Sequence, residues 1–516
     1  MTKSILHLFI IVCLSVASCT STRNASSPGK ENGKIDIVFV QVNDVYEIAA
    51  LEGGKTGGMA RVATLKKQWQ AKNPNTFMIM AGDFLSPSVY NSLKYEGKRI
   101  RGKQMVEAMN TAGMDIAIFG NHEFDINENE LQERINESRF QWVSSNSFHK
   151  KGNDVSAFVK TTSMGSQSLP ETYIMPVTDA DGTTAKVGFI GLTLPFNKAA
   201  YVSYNDPFIV AEKLYNRLKD SCDAVVAITH QSMDDDILLA QKLPGLTAII
   251  GGHEHDMRFQ KVGNVYITKA HANARSAYIV RLRINKRKHS VKIKPELRMI
   301  DASLAMDPLT DSVVKKWMDI GDKNYASLGF DAKKVVLQTG ESLDGREEAI
   351  RTKPTNFTRM IIAAMEEAAP AADVVLLNAG SIRVDDMLPM PVTEYDIIRS
   401  LPFGGGIAEV DMKGSLLIQT LEAGRKNVGI GGLLHYTADV VYNPANNAWS
   451  LKNVRLEPDK TYHVALPDFL MTGGEANMDF LTTKNPGVVK VYPTITNVAD
   501  SRSDIRLAIV RYMQKM

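Results

Sequence analysis

Five times between residues 44 and 255, a stretch rich in β-forming apolar residues stops at a short cluster of Asp, Asn or His. In order, the clusters are Asp44 in NDVY, Asp83 in AGDF, Asn121 with His122 in GNHEFD, His230 in AITH, and His253 with His255 in GGHEHD. The runs over 35–42, 76–81, 115–119, 186–192, 223–229 and 247–250 are short and apolar, as strands buried on both faces are. Between them, 59–70, 102–111, 127–134 and 207–219 have helical spacing. This alternation predicts an α/β domain built around a sheet, and α/β folds place ligands where strands end. A lone polar residue at a strand end is ordinarily structural; several such ends on one sheet edge are hard to explain as independent accidents.

The residue types at these ends select the chemistry. Carboxylate, amide oxygen and imidazole form a mixed oxygen and nitrogen donor set suited to divalent first-row ions, and the lack of thiolates in it argues against a structural cysteine-type zinc site. A carboxylate such as Asp83 can bridge two ions. Two ions about 3.5 to 4 Å apart can hold a hydroxide nucleophile while neutralising phosphate oxygens in an in-line displacement, which predicts phosphoester hydrolysis.

The ordered motifs GD, GNHEFD and GGHEH resemble those of the calcineurin-like metallophosphoesterases. The C-terminal half extends the resemblance to the two-domain family of 5'-nucleotidases, UDP-sugar hydrolases and 2',3'-cyclic-nucleotide phosphodiesterases. The resemblance implies an N-terminal four-layer αββα metallophosphoesterase sandwich over 34–300, a helical linker over 301–334 and a mixed α+β substrate-binding domain over 335–516. The residues agree with this division. The segment 307–334 reads as a helical connector, and beyond 335 come an amphipathic helix over 356–368, a buried strand over 373–377 and the Gly-rich stretch Phe403-Gly404-Gly405-Gly406.

Matching by motif position, the resemblance implies that one divalent ion takes Asp44, Asp83 and His255, and the other Asp83, Asn121, His230 and His253. Manganese, zinc and magnesium all suit such sites, so the sequence leaves the metal open. His122 and Asp125 match the family's catalytic dyad, in which the imidazole stabilises charge on the transferring phosphoryl group and the carboxylate orients it. In the second domain, Arg383 in NAGSIR and Arg351 in EEAIRTKPTN match phosphate-binding arginines, whose guanidinium forks suit phosphate oxygens. Arg346 is a weaker candidate, offset by one position from a further family arginine. Phe403 and Phe469 match two rings that clamp a nucleobase, and base stacking contributes roughly 1 to 3 kcal/mol per base. Gly405 stands where a base-contacting asparagine is common, and Glu475 replaces a ribose-binding aspartate.

Tyr46 departs from the pattern, because the family's first motif is Asp-x-His. A phenol has a pKa near 10, so ionising it at pH 7 costs about 4 kcal/mol before a cation offsets any of it. Four roles are open: ligand to a strongly polarising ion, neutral phenol ligand, hydrogen-bond partner of a metal-bound water, or a ring packed away. The water-linked role is preferred, since phenol is a good hydrogen-bond partner and a poor neutral ligand. Glu47 and His271 are candidates to compensate, although each reads more simply as structural.

The expected activity is therefore metal-dependent hydrolysis of nucleotides, most simply a nucleoside 5'-monophosphate to nucleoside and phosphate. Alternatives in the same site are a 2',3'-cyclic nucleotide, a UDP-sugar, a sulfur-linked substrate, or nucleotide binding without catalysis. A net charge of +3, from 60 basic and 57 acidic residues, offers nothing to a nucleic-acid polymer. At the N-terminus, Lys3 precedes a mostly apolar run over 5–16, too short for a spanning helix of roughly 20 residues. With Val16-Ala17-Ser18-Cys19 it reads as an export signal over 1–18 ending in a lipobox-like site. Cys19 would then be lipidated, with a solvated tether over 19–33, giving a protein anchored by lipid to a bacterial outer membrane and facing the periplasm. Cys222 reads as a buried small hydrophobe.

Overall fold

Lys34–Val42 is solvent-touched at alternate positions only at its start and is then buried on both faces, so it must lie inside a covered sheet. In the computed structural model, which describes residues 31–196 and 199–516, it does. It pairs antiparallel with Ser276–Asn285 and parallel with Thr76–Met80, and the parallel ladder continues through Ile116–Ala117 to Gln141–Trp142. Ser290–Met299 closes the other edge of this six-stranded sheet. A second six-stranded sheet has Thr184–Thr193, Ala224–His230, Ala248–Gly252 and Val265–Lys269 parallel at its centre.

The inner faces of the two sheets meet through Phe39, Ile79, Ile118, Phe189, Val226 and Ile250. Each such side chain contributes about 1.5 to 3 kcal/mol by leaving water, which holds the two sheets face to face. Helices Met59–Lys72, Lys103–Ala112 and Glu128–Glu137 cover the first sheet, and Pro207–Leu218 with Met233–Lys242 cover the second. The result is the expected four-layer αββα sandwich. All the parallel strands point their C-terminal ends the same way, so the polar clusters gather at one edge.

Two local differences from the sequence reading have clear causes. The strand expected over 115–119 pairs only at Ile116–Ala117, because the chain leaves the ladder early to form the loop carrying Asn121 and His122. Helix Met233–Lys242 was not anticipated, yet its signals are local: Ser232 caps the amide of Asp235, and three aspartates occupy the first turn, where the helix dipole favours them.

The connector forms the helix Pro308–Ser327, with Asp307 as cap and Pro308 at the first position. It packs on the outer helices of the first sheet, anchored by buried Trp317, whose indole N–H donates to Glu107 Oε2 at 2.9 Å. The second domain centres on a five-stranded mixed sheet ordered Leu434–Tyr436, Val374–Asn378, Thr461–Pro467, Ile407–Lys413, Val488–Val491. Helix Asn356–Ala368 packs on one face and Gly414–Lys426 on the other. Among the described residues, no helix is long and apolar enough to cross a membrane. The export signal, Cys19 and the first residues of the tether lie outside the described residues. Cys222 is a free thiol, only partly buried, in the turn just before Ala224–His230, where it packs against the core between the second sheet and its helices.

Candidate active site

The loops at the strand ends carry strained backbone. Asp44, Asp83, His253 and His255 have φ of 53°, 56°, 97° and 61°, a left-handed conformation that costs an L-residue roughly 1 to 2 kcal/mol each. Hydrogen bonds hold them there. Asp44 N–H donates to Gly82 O at 3.0 Å, and Asn273 N–H donates to Asp44 O at 2.8 Å. The fully buried carboxylate of Glu123 accepts the amides of Asp83, Phe84, Leu85 and Gly120 at 2.5 to 3.0 Å. Burial, with Asp83 adding to it, raises the Glu123 pKa to about 7. Glu123 thus clamps the Asp83 loop to the His122 loop, a role the sequence reading missed although the residue stands inside GNHEFD. The motif glycines are required by close approach. A Cβ at Gly120 would sit 2.1 Å from Asp83 Oδ1, and one at Gly82 2.6 Å from His230 Nδ1.

Ligand-type atoms of Asp44, Asp83 and His230 lie within 4.8 Å of one another, all buried. His230 Nδ1 donates to the carbonyl of Ala81 at 2.8 Å, which leaves Nε2 as the lone-pair nitrogen, 3.1 Å from Asp83 Oδ2. Asn121 Oδ1 is buried with no hydrogen-bond partner, an arrangement that costs about 1 to 3 kcal/mol unless something binds it. A cation is what an orphaned buried amide oxygen and a buried cluster of two carboxylates and an imidazole suit, so the residues fit a divalent ion. Without one, Asp83 and Asp44 outweigh burial and raise the His230 pKa to about 10. Burial works to raise Asp83, but the His230 and His122 imidazoles hold it well below the usual carboxylate range. His253 lies edge-on to His230, ring centres 5.4 Å apart, and burial followed by the His230 charge lowers its pKa to about 3, keeping it a neutral donor.

Tyr46 faces this centre and is not packed away. Its hydroxyl lies 2.8 Å from His255 Nε2, 3.2 Å from Asp83 Oδ2 and 3.5 Å from Asp44 Oδ1. Ligand atoms about 2.0 to 2.2 Å from one ion stand about 3 to 3.6 Å from each other, so the phenol occupies the border of such a shell. Burial, then Asp83 and Asp44, hold its pKa well above 10, and it is a hydrogen-bond donor here. Neither compensating candidate reaches the centre. Glu47 accepts from Tyr395 Oη at 2.7 Å, and His271 Nδ1 bonds Ser276 Oγ at 2.9 Å.

His122 Nδ1 donates to Asp125 Oδ2 at 2.6 Å, and Arg383 Nη2 donates to His122 Nε2 at 2.9 Å. A cleft of about 710 Å³ runs from His122 past Asp83 and His253 to Arg351, and a second lobe of about 700 Å³ holds His122, Arg383 and Phe403. Both fall within the roughly 300 to 1,000 Å³ of a small-molecule site. Arg351 lines the first lobe, paired with Glu347. Arg346 lies at its rim, 57% exposed and bidentate to Asp344 at 2.8 and 2.9 Å, which leaves it as largely solvated surface.

Phe403 and Phe469 are 50% and 46% exposed, so neither is a core residue. Gly406 and Asp468 exchange two hydrogen bonds at 3.0 Å, which sets the segments bearing the two rings side by side. The same contact explains Gly405. At φ 102° a side chain would be strained, and its Cβ would meet Asp468 Oδ1 at 2.7 Å, so an asparagine there would have to displace that carboxylate. Glu475 accepts from Asn378 Nδ2 at 2.6 Å and is thereby tied to the start of NAGSIR.

Residues 37–257 match the family model of the calcineurin-like phosphoesterases, and residues 335–483 that of the 5'-nucleotidase C-terminal domain. The chain is 24% identical over 474 residues to a 5'-nucleotidase of Bos taurus, covering 81% of this chain and 78% of that protein. It is 25% identical over 496 residues to the trifunctional nucleotide phosphoesterase protein YfkN of Bacillus subtilis, covering 86% of this chain and 32% of that much longer protein. In fold it is similar to the 5'-nucleotidase precursor of Thermus thermophilus, with a TM-score of 0.70 and 21% identity over 93% of this chain and 96% of the other.

Proposed function

The chain belongs to the metal-dependent phosphoester hydrolases in which a calcineurin-like domain precedes a 5'-nucleotidase C-terminal domain, and from that premise we propose that it hydrolyses nucleoside 5'-monophosphates to nucleoside and phosphate. One observation carries the reading: Arg383, from the second domain, meets His122, from the first, at 2.9 Å, beside the carboxylate and imidazole cluster. A phosphoryl group there would have a guanidinium on one side and cations on the other.

Asp44, Asp83 and His255 would hold one divalent ion, and Asp83, Asn121, His230 and His253 the other. Bound there, the pair supplies charge neutralisation and an activated water-derived nucleophile. The protein's own part is to place the phosphoryl group with Arg383 and Arg351, and to hold the His122 imidazole toward it through Asp125. Phe403 and Phe469 offer two exposed faces for the base, and Glu475 a carboxylate for the ribose. With Gly405 in place of an amide side chain, base discrimination rests on stacking and is expected to be broad.

The test is a turnover panel with manganese-loaded protein. Phosphate release should be fastest from AMP and UMP; faster turnover of 2',3'-cyclic AMP or UDP-glucose would redirect the substrate assignment. No turnover of any of these, nor of p-nitrophenyl phosphate, would overturn the reading.

Tyr46 is proposed to hydrogen-bond water on the Asp44-side ion, which is then the more weakly held of the two. Tyr46→His, adding an imidazole donor, should tighten that ion at least about tenfold in a chelator competition; unchanged affinity and stoichiometry would remove the basis for this role. Export and lipidation at Cys19 belong to the same proposal and rest on the sequence alone. Cys19→Ala should abolish radiolabelled palmitate incorporation, and labelling that persists would rule out that anchor.

A further inference from the structure

We propose that Asp385, contributed by the C-terminal domain, is a positioning residue for His255, so that the metal centre is completed across the domain interface. The inference rests on the reading of His255 as a ligand of the Asp44-side ion. Asp385 Oδ2 lies 2.6 Å from His255 Nδ1, and the two residues stand 130 positions apart in the chain. Its other oxygen, Oδ1, accepts Glu347 N–H at 2.6 Å, at the start of the turn that carries Arg351. One carboxylate therefore ties the loop of a metal ligand to the segment of a phosphate-binding arginine.

Two further features mark this as a built contact. Asp385 has φ 40°, a conformation uncommon outside glycine that persists only where surrounding contacts impose it. The next residue, Asp386, pairs with Arg275 of the first domain at 2.5 Å, and Arg275 also pairs with Glu52, so the interface is pinned beside it.

The consequence for the imidazole follows from its two nitrogens. In the neutral imidazole, with Nδ1–H donated to Asp385, Nε2 is the nitrogen that carries the lone pair, and the Tyr46 hydroxyl is on that side at 2.8 Å. This is the tautomer that binds a cation, and a carboxylate behind it makes Nε2 more basic. The Asp44-side ion lacks the imidazole that position 46 would supply. Asp385 strengthens the imidazole that remains.

The test is manganese(II) binding to the full-length, metal-free chain, measured by competition with a chromophoric chelator and by anomalous scattering, for wild type, Asp385→Ala and Asp385→Asn. Asparagine retains an oxygen for Glu347 N–H and removes the charge, which separates the loop contact from the effect on His255. The expected result is two ions per wild-type chain, with the Asp44-side ion alone bound 10- to 100-fold more weakly in Asp385→Ala and by at least as much in Asp385→Asn, whose NH₂ would face Nδ1 and favour the tautomer protonated on Nε2. Equal binding in all three proteins overturns the role of Asp385 and leaves the metal centre standing. Equal weakening of both ions with a lowered melting temperature overturns it too, by making Asp385 a structural contact. A wild-type chain that binds no manganese overturns the metal centre and this inference together.

Discussion

Asp83→Asn is expected to abolish binding of both ions and to lower kcat/KM at least about 10³-fold, because ion charge contributes several kcal/mol to the transition state of phosphoryl transfer. The carboxylate is shared: Oδ1 accepts His122 N–H at 2.8 Å, while Oδ2 lies 3.1 Å from His230 Nε2 and 3.2 Å from the Tyr46 hydroxyl. Asparagine has nearly the same shape, so packing at this buried site is preserved. Its one oxygen is claimed by the His122 amide, which turns the NH₂ toward His230 and Tyr46. A donor then faces the place where a cation needs lone pairs. Metal content by mass spectrometry and turnover of AMP measure the two effects together. Two retained ions, or a loss of activity under tenfold, would remove Asp83 from the bridging position.

His122→Ala is expected to lower kcat by roughly 10² to 10⁴ while leaving two ions bound, which separates it from the first substitution. Its imidazole bonds Asp125 through Nδ1 and faces Arg383 through Nε2, so no metal-ligand atom is removed with it. The backbone amide that supports Asp83 survives the change, because alanine keeps it. Metal stoichiometry should therefore stay at the wild-type value, and the loss should fall on kcat more than on KM. A variant that loses its ions as well would place His122 in metal binding instead. Wild-type kcat would remove it from the chemistry.

Much of the fold was readable because the signals are short in range. Helix Asn356–Ala368 was predicted with its observed bounds, since its apolar stripe and the Thr355 capping box lie within one segment. The candidate ligands were readable because each motif combines a strand end, a glycine and a donor, and the structure brings Asp44, Asp83 and His230 together. Tyr46 was recognised as a departure, but whether its ring faced the centre was not readable. That depends on a loop whose shape is set by Asn273, whose side chain accepts Tyr46 N–H from 227 positions away. Glu123 was passed over for a related reason. Its partners are backbone amides, which carry no residue-type signature.

By itself, the sequence determined the α/β class and the donor types at the strand ends, while the arginines and aromatic rings of the second domain entered only through the family resemblance. Periodicity, caps and motif glycines act through local dihedrals and hydrogen bonds, which adjacent residues specify. Only the tertiary structure decided that Arg383 meets His122, that Asp385 stands behind His255, and that Glu47 turns away to Tyr395. These contacts depend on how the two domains settle against each other across a core cluster that runs between them, and no spacing along the chain encodes that.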